Sequence, residues 1–180
     1  MLLPWKRVLT GVAVAVLGVW AGDLKVPGSL TASFVQTASG GGTISRSSGT
    51  LTLNRSRAFR LDVRRPTRQL ICNYRSGVDL IDYASHQVVR YDVGGLLDMM
   101  QILKVAEHYK GNIYKSRYHG YRFRLWVNKR GEVVKVTFRG KNGVQNTVRF
   151  SNTRYHSKPA PASRFRCQAP RSYRVIRGKI

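Results

Sequence analysis

Tyr121-Arg122-Phe123-Arg124-Leu125-Trp126-Val127 is followed by the turn residues Lys129-Arg130-Gly131-Glu132 and then by Val134-Lys135-Val136-Thr137-Phe138-Arg139. In both runs apolar residues occupy alternate positions, with charged or polar residues, and once Trp126, between them. A period of two places successive side chains on opposite faces of a strand, so each run has one apolar face and one wet face. Two such runs joined by a short glycine-containing turn read as an antiparallel hairpin.

The same alternation extends outward. Gly140-Lys141-Asn142-Gly143 makes the next turn, and Val148 and Phe150 flank Arg149. Upstream, Leu51 and Leu53 alternate with threonines, Phe59, Leu61 and Val63 with Arg60 and Asp62, and Val89 and Tyr91 flank Arg90. Downstream, Pro159-Ala160-Pro161-Ala162 is an extended connector. Phe165 and Cys167, split by Arg166, predict a last strand. Ser39 to Gly42 reads as a flexible loop or loose hairpin turn, and Asp79 and Asp82 as part of a turn. One segment breaks the pattern: after Gly94-Gly95, residues Leu96, Met99, Met100 and Leu103 fall at i, i+3, i+4 and i+7, which predicts an amphipathic helix. Residues 29–36 form either a second short helix or a strand. The expected fold is therefore mainly β (α+β): a strongly curved antiparallel sheet, covered on one side, curling into an open or incomplete barrel around a helical lid.

The chain has 180 residues, of which 32 are Lys or Arg and 8 Asp or Glu, a formal charge of +24. Length and the absence of an internal linker or repeat indicate one folded domain. Lys6 and Arg7 precede the apolar stretch Val8 to Val19, and Val19-Trp20-Ala21 fits the small-x-small pattern of a cleavage site. The reading is a signal peptide over 1–21, a single mature domain over 22–180 and export from the cytoplasm. A retained membrane anchor is the alternative reading of the stretch. After export, Cys72 and Cys167 meet an oxidising compartment and permit one pairing; each could equally be a small buried hydrophobe.

Arg60, Arg122, Arg124, Lys135, Arg139, Arg149 and Arg166 take the outward parity. They offer a surface to anionic membranes or acidic proteins, or reflect a generally basic composition. Aromatic residues mostly take the inward parity, Trp126 excepted, so the stacking platform of a nucleic-acid binder is not expected. The four histidines, His86, His108, His119 and His156, form no metal-ligand spacing. There is no nucleophile elbow or phosphate-binding glycine loop, and no carboxylate pair stands out. No cofactor, metal site or catalytic activity is expected.

Several segments, in order, resemble the LolA family of outer-membrane lipoprotein carriers. Ala32-Ser33-Phe34-Val35-Gln36 is similar to the family's A-x-F-x-Q opening strand. Gly49-Thr50-Leu51-Thr52-Leu53-Asn54-Arg55 is similar to its G-x-L-x-x-x-R strand. Phe59-Arg60-Leu61, then Arg65-Pro66, resembles the F-R-W and x-P that follow, with Leu61 in place of Trp. The helix at 96–104 sits where the family has its lid, and Phe165 to Pro170 resembles the closing strand. The sister receptor LolB shares the fold but is itself a lipoprotein; with no cysteine after the apolar stretch, the soluble carrier is the better match.

The resemblance implies a monomeric, periplasmic carrier of acylated lipoproteins. It would receive them from an inner-membrane ABC-type releasing complex and deliver them to the outer membrane or a receptor there. The acyl-chain cavity would be lined by Phe34, Leu51, Leu53, Phe59, Leu61, Tyr91, Leu96, Met99, Met100, Leu103, Phe123, Phe138 and Phe150. On patterning alone, the Leu/Met stripe is ordinary core packing. Arg55 shares parity with Leu51 and Leu53 and should point inward, unless it is a rim arginine reaching solvent. In the family the arginine at this position bonds the lid, which implies that Arg55 latches the helix through its backbone carbonyls. The alternatives are a binding protein for another lipid or amphiphile, and a basic module for anionic polymers.

Overall fold

The computed structural model describes residues 23–74, 77–91, 98–140 and 142–178. The expected signal peptide and Leu96 lie outside the described residues. Among the described residues twelve strands form a curved, unclosed sheet: β1 (Ser29–Gly40), β2 (Thr43–Asn54), β3 (Phe59–Arg65), β4 (Gln69–Tyr74), β5 (Gly77–Asp82), β6 (Gln87–Tyr91), β7 (Glu107–Lys110), β8 (Ile113–Tyr118), β9 (Tyr121–Val127), β10 (Val133–Arg139), β11 (Gln145–His156) and β12 (Arg174–Gly178). Their spatial order is β12-β6-β5-β4-β3-β2-β1-β11-β10-β9-β8-β7. Helix α1 (Met99–Lys104) lies between β6 and β7 in sequence, and a 3-10 turn occupies Ala162–Phe165.

The hairpin expected over residues 121–139 is β9–β10, turning where Asn128 Oδ1 accepts from the amides of Arg130 and Glu132. Residues 29–36 belong to a strand, and a long one. β1 bonds β2 on one side and β11 on the other, so the longest strands form the middle of the sheet. Phe34, Leu51, Leu53, Phe123, Leu125 and Val136 meet on the concave side with Met100, Ile102 and Leu103 of α1 in the main core.

Gly49 has a structural reason. At this point β3 carries an extra residue, Arg64, because Ser48 faces Arg65 and Gly49 faces Val63. A Cβ on Gly49 would collide with the backbone carbonyl of Asp62. The bulge bends the strand locally and helps to curve the sheet.

Three expectations are corrected. Phe165 to Cys167 is not a strand: Phe165 ends the 3-10 turn, fully buried, and Cys167 is disulfide-bonded to Cys72 with a Cα–Cα separation of 5.9 Å. The last strand is β12, and it runs parallel to β6, so the sheet is not wholly antiparallel. Asp79 and Asp82 lie in β5, not in a turn.

The outer face of β4–β6 is also not wet. Leu70, Cys72, Ile81 and Val88 are buried there under Tyr83, Cys167, Ala169 and Tyr173. Gln69-Leu70-Ile71-Cys72 reads as a continuous apolar run because both of its faces are covered.

Candidate functional site

The long central strands put their inward residues in cross-strand rows. Leu51 pairs with Leu61, which pairs with Ile71, and Leu53 pairs with Phe59. Phe34 pairs with Phe150, and Gln36 with Val148. These residues, with Phe138 from β10 and Met99 from α1, enclose a cavity of about 220 Å³. The lining is apolar apart from Gln36, whose Nε2 donates to Asn146 Oδ1 at 3.1 Å. No lining residue is ionisable. The site is suited to hold hydrocarbon, which is favoured by removal of apolar surface from water and needs no directional partner.

Of the residues expected at this cavity, Phe34, Leu51, Leu53, Phe59, Leu61, Met99, Phe138 and Phe150 line it. Met100, Leu103 and Phe123 do not: they are almost fully buried in the core, and only Met99 of the helix faces the space. Tyr91 is on β6, separated from the nearest cavity strand, β4, by β5, and pairs with Gly178 of β12. Sequence reading missed Ile71, Val148 and Gln36. Val148 carried the same signal as Phe150, two positions away on the same strand face. Ile71 is hidden within its apolar run.

Arg55 takes the rim position that was the alternative to an inward one. β2 ends at Asn54, so the strand parity stops before Arg55, which is exposed in the following turn. Its Nη2 donates to the carbonyl of Val26 at 3.4 Å and its amide to Gly28 O at 2.9 Å. Arg55 therefore fastens the segment before β1. The arginine that reaches the helix is Arg57, whose backbone is left-handed, with φ 68°. Its Nε lies 3.2 Å from Asp98 Oδ2. Asp98 is the N-cap of α1, is nearly buried, and accepts from the Gln101 amide at 3.0 Å through Oδ1. One carboxylate thus caps the helix and ties it to the turn between β2 and β3.

The N-terminal segment closes the opposite end of the core. Leu24 N donates to Tyr114 Oη and Lys25 N to Gly131 O. Nearby, Glu132 accepts from Asn128 Nδ2 at 2.9 Å and from Arg130 Nε at 3.0 Å. These hydrogen bonds, Asn128 foremost, hold its carboxyl below the ordinary glutamate range. Burial pushes the Tyr155 phenol up, although its oxygen accepts from Val133 N at 3.0 Å.

Among the described residues no helix is long and apolar enough to cross a membrane. No curated protein matches the sequence significantly. Among solved structures, the chain is similar to an uncharacterised conserved protein from Thermus thermophilus, with 12% identity, a TM-score of 0.53, and coverage of 85% of this chain and 92% of that one. It is also similar to a LolA superfamily protein from Nitrosomonas europaea, with 10% identity, a TM-score of 0.47, and coverage of 80% of this chain and 92% of that one. Residues 27–108, which supply β1 to β4 and α1 to the cavity, match the family model described as outer membrane lipoprotein carrier protein LolA.

Proposed function

We propose that the protein is a periplasmic carrier that holds the acyl chains of lipoproteins in the cavity between β1–β4, β10, β11 and Met99. The observation that carries this reading is the cavity's lining: apolar residues on six strands and a helix, one amide at the edge, and no charge. Each methylene taken from water contributes about 0.8 kcal/mol, so part of one chain suffices for useful binding and many cargoes are accepted. About 220 Å³ is small beside the roughly 300–1,000 Å³ of pockets that engulf drug-sized ligands. Cargo with several chains would therefore need α1 to move. The helix acts as the lid, with Met99 as its adaptable inner surface and Arg57–Asp98 as its fastening. In this reading an inner-membrane ABC-type complex loads the carrier, and an outer-membrane receptor or the membrane itself receives the cargo.

The test is native mass spectrometry of the protein after incubation with a triacylated lipoprotein and, separately, with a free long-chain fatty acid. The carrier reading expects a stoichiometric lipoprotein complex that survives high salt and is lost in Leu61→Asp, which places a carboxylate at the half-buried wall. Uptake of fatty acid but not lipoprotein would assign the cavity to a different amphiphile. No uptake of either, or equal uptake by Leu61→Asp, would refute a cavity carrier.

A further inference from the structure

The outer face of the sheet is covered unevenly. Over β4–β6 the C-terminal arm closes it through Cys167, Ala169 and Tyr173. On β8 to β10 the outward residues Lys115, Arg117, Arg122, Arg124 and Arg139 are exposed. Register sets Lys115 opposite Arg124 and Arg117 opposite Arg122, and further along Lys135 opposite Arg149. Directly opposed like charges destabilise a sheet. Among the described residues none of these seven basic side chains lies within ion-pair distance of a carboxylate. Glu107 stands across from Lys115 on the edge strand β7, and Arg139 Nε is held by Gly143 O. The first five surround a shallow concavity of about 420 Å³ floored by Thr137. Two rings are covered by these lysines: Lys115 Nζ lies 3.1 Å from the centroid of Tyr109, and Lys135 Nζ 4.0 Å from that of Trp126.

We propose that this face docks on a bilayer surface rich in anionic phospholipid. The cores of protein interfaces are depleted of charged residues, whereas this face presents seven basic side chains with no carboxylate within ion-pair distance of any of them among the described residues. A single-stranded nucleic acid would need a row of open rings on which to stack, whereas Tyr109 and Trp126 are each capped by a lysine. Anionic headgroups require only a dense positive field, to which each Lys or Arg adds, and they tolerate amphipathic rings at their level. The relief of repulsion between facing arginines adds to the attraction. This docking rests on the surface charge and does not depend on what the cavity holds.

The experiment is vesicle co-sedimentation with phosphatidylglycerol–phosphatidylcholine and with phosphatidylcholine alone. It compares the wild type with Arg122→Ala/Arg124→Ala/Arg139→Ala and with the corresponding triple lysine variant, all carrying the same N-terminus so that its apolar stretch contributes equally. The wild type should bind the anionic vesicles selectively, and raising salt from about 0.05 to 0.5 M should weaken that binding at least tenfold. The alanine variant should bind about a hundredfold more weakly, fold normally and take up an acyl-chain probe like the wild type. The lysine variant should retain binding, since a field rather than a bidentate fork is at work. Equal wild-type binding to both vesicles, or equal binding by wild type and alanine variant, would overturn the proposal. So would loss of binding in the lysine variant, or binding only to polyglutamate or an oligonucleotide. Anionic binding without acyl-chain uptake would refute the carrier reading and leave this one standing.

Discussion

Arg57 Nε lies 3.2 Å from Asp98 Oδ2, an ion pair that joins the turn after β2 to the N-cap of α1, one residue before the cavity-lining Met99. The two residues contribute differently. Arg57 is largely exposed, so the pair alone is worth no more than about 1 kcal/mol. Asp98 also caps the helix, and loss of a cap costs about 1 kcal/mol. Asp98→Asn retains a capping oxygen and removes the charge, whereas Asp98→Ala removes both. If the pair fastens the lid, Asp98→Asn and Arg57→Ala will speed acyl-chain uptake and release with little loss of stability. Asp98→Ala will do the same and destabilise by about 1–2 kcal/mol. Arg55→Leu, which cuts only the bond to Val26, will leave exchange rates near wild type. Stopped-flow exchange of a fluorescent fatty acid beside urea unfolding checks this, and a trapped Arg55→Leu complex with unaltered Arg57→Ala kinetics would return the latch to Arg55.

What was legible in the sequence followed from strand parity. Leu51, Phe59, Phe138 and Phe150 could be placed on one face because each sits in an alternating run whose other face is wet, whereas Phe34, in a segment readable as helix or strand, was reached only through the resemblance. The reading failed where that condition failed. β4 is buried on both sides, so nothing local marks Ile71 as facing the cavity while Leu70 and Cys72 face the C-terminal arm. Phe165 and Cys167 alternate for a different reason: one is sunk at the end of a 3-10 turn and the other is bonded to Cys72. β12 owes its place to parallel pairing with β6, a relation between segments that neither one displays alone. Arg57 was hidden because its reach depends on a left-handed backbone that a short Arg-Ser-Arg turn does not announce.

The glycine at the β2–β3 bulge gives a prediction about the fold. Gly49→Ala drives a methyl group into the Asp62 carbonyl, and the obstacle is backbone that cannot swing away. Overpacking of this kind costs about 1–3 kcal/mol. Because the neighbouring Leu51 and Leu61 line the cavity, acyl-chain affinity should fall with stability. Gly143→Ala provides the contrast. No atom would meet its added methyl, but its φ of 79° strains any side chain, so it should cost about 1 kcal/mol and leave affinity unchanged. Chemical denaturation and fatty-acid titration of both variants would show it. Equal affinity loss in the two would remove the bulge as a determinant of cavity shape.

Glu132 should give the fold part of its acid sensitivity. Its hydrogen bond from Asn128, helped by Arg130, lowers its folded pKa. A group with a lowered pKa binds protons less readily folded than unfolded. Its stabilising contribution is therefore complete above the ordinary glutamate value of about 4.3 and fades as pH falls through the lowered folded value. Glu132→Gln should be slightly less stable than the wild type at pH 7, and the gap should close as pH drops below about 4. Asp82, lowered chiefly by the Ser85 amide and then by Gln69, remains in both proteins and leaves a common residual slope. Urea midpoints at about pH 7, 4 and 3 test this; a gap that is constant with pH would show that Glu132 acts through its shape alone.

The Cys72–Cys167 bond spans 95 residues and fastens the C-terminal arm over the outer face of β4. Closing so long a loop removes much of the unfolded chain's freedom, which typically stabilises by about 2–4 kcal/mol. The arm has two further anchors, Phe165 in its fully buried site and the pairing of β12 with β6. Cys72→Ala/Cys167→Ala should therefore lose stability without losing the native fold. Its first loosening should come between Lys158 and Arg174, where the arginines make trypsin a sensitive reporter. The cavity lies on the opposite face and draws its walls from β1–β4, β10, β11 and Met99. Acyl-chain binding should consequently survive the loss of the bond at temperatures where the sheet is folded. Faster tryptic cleavage in the arm with undiminished fatty-acid affinity would establish that the disulfide protects the outer layer and leaves the cavity to the central strands. Affinity lost in parallel with arm protection would instead make the two faces one cooperative unit.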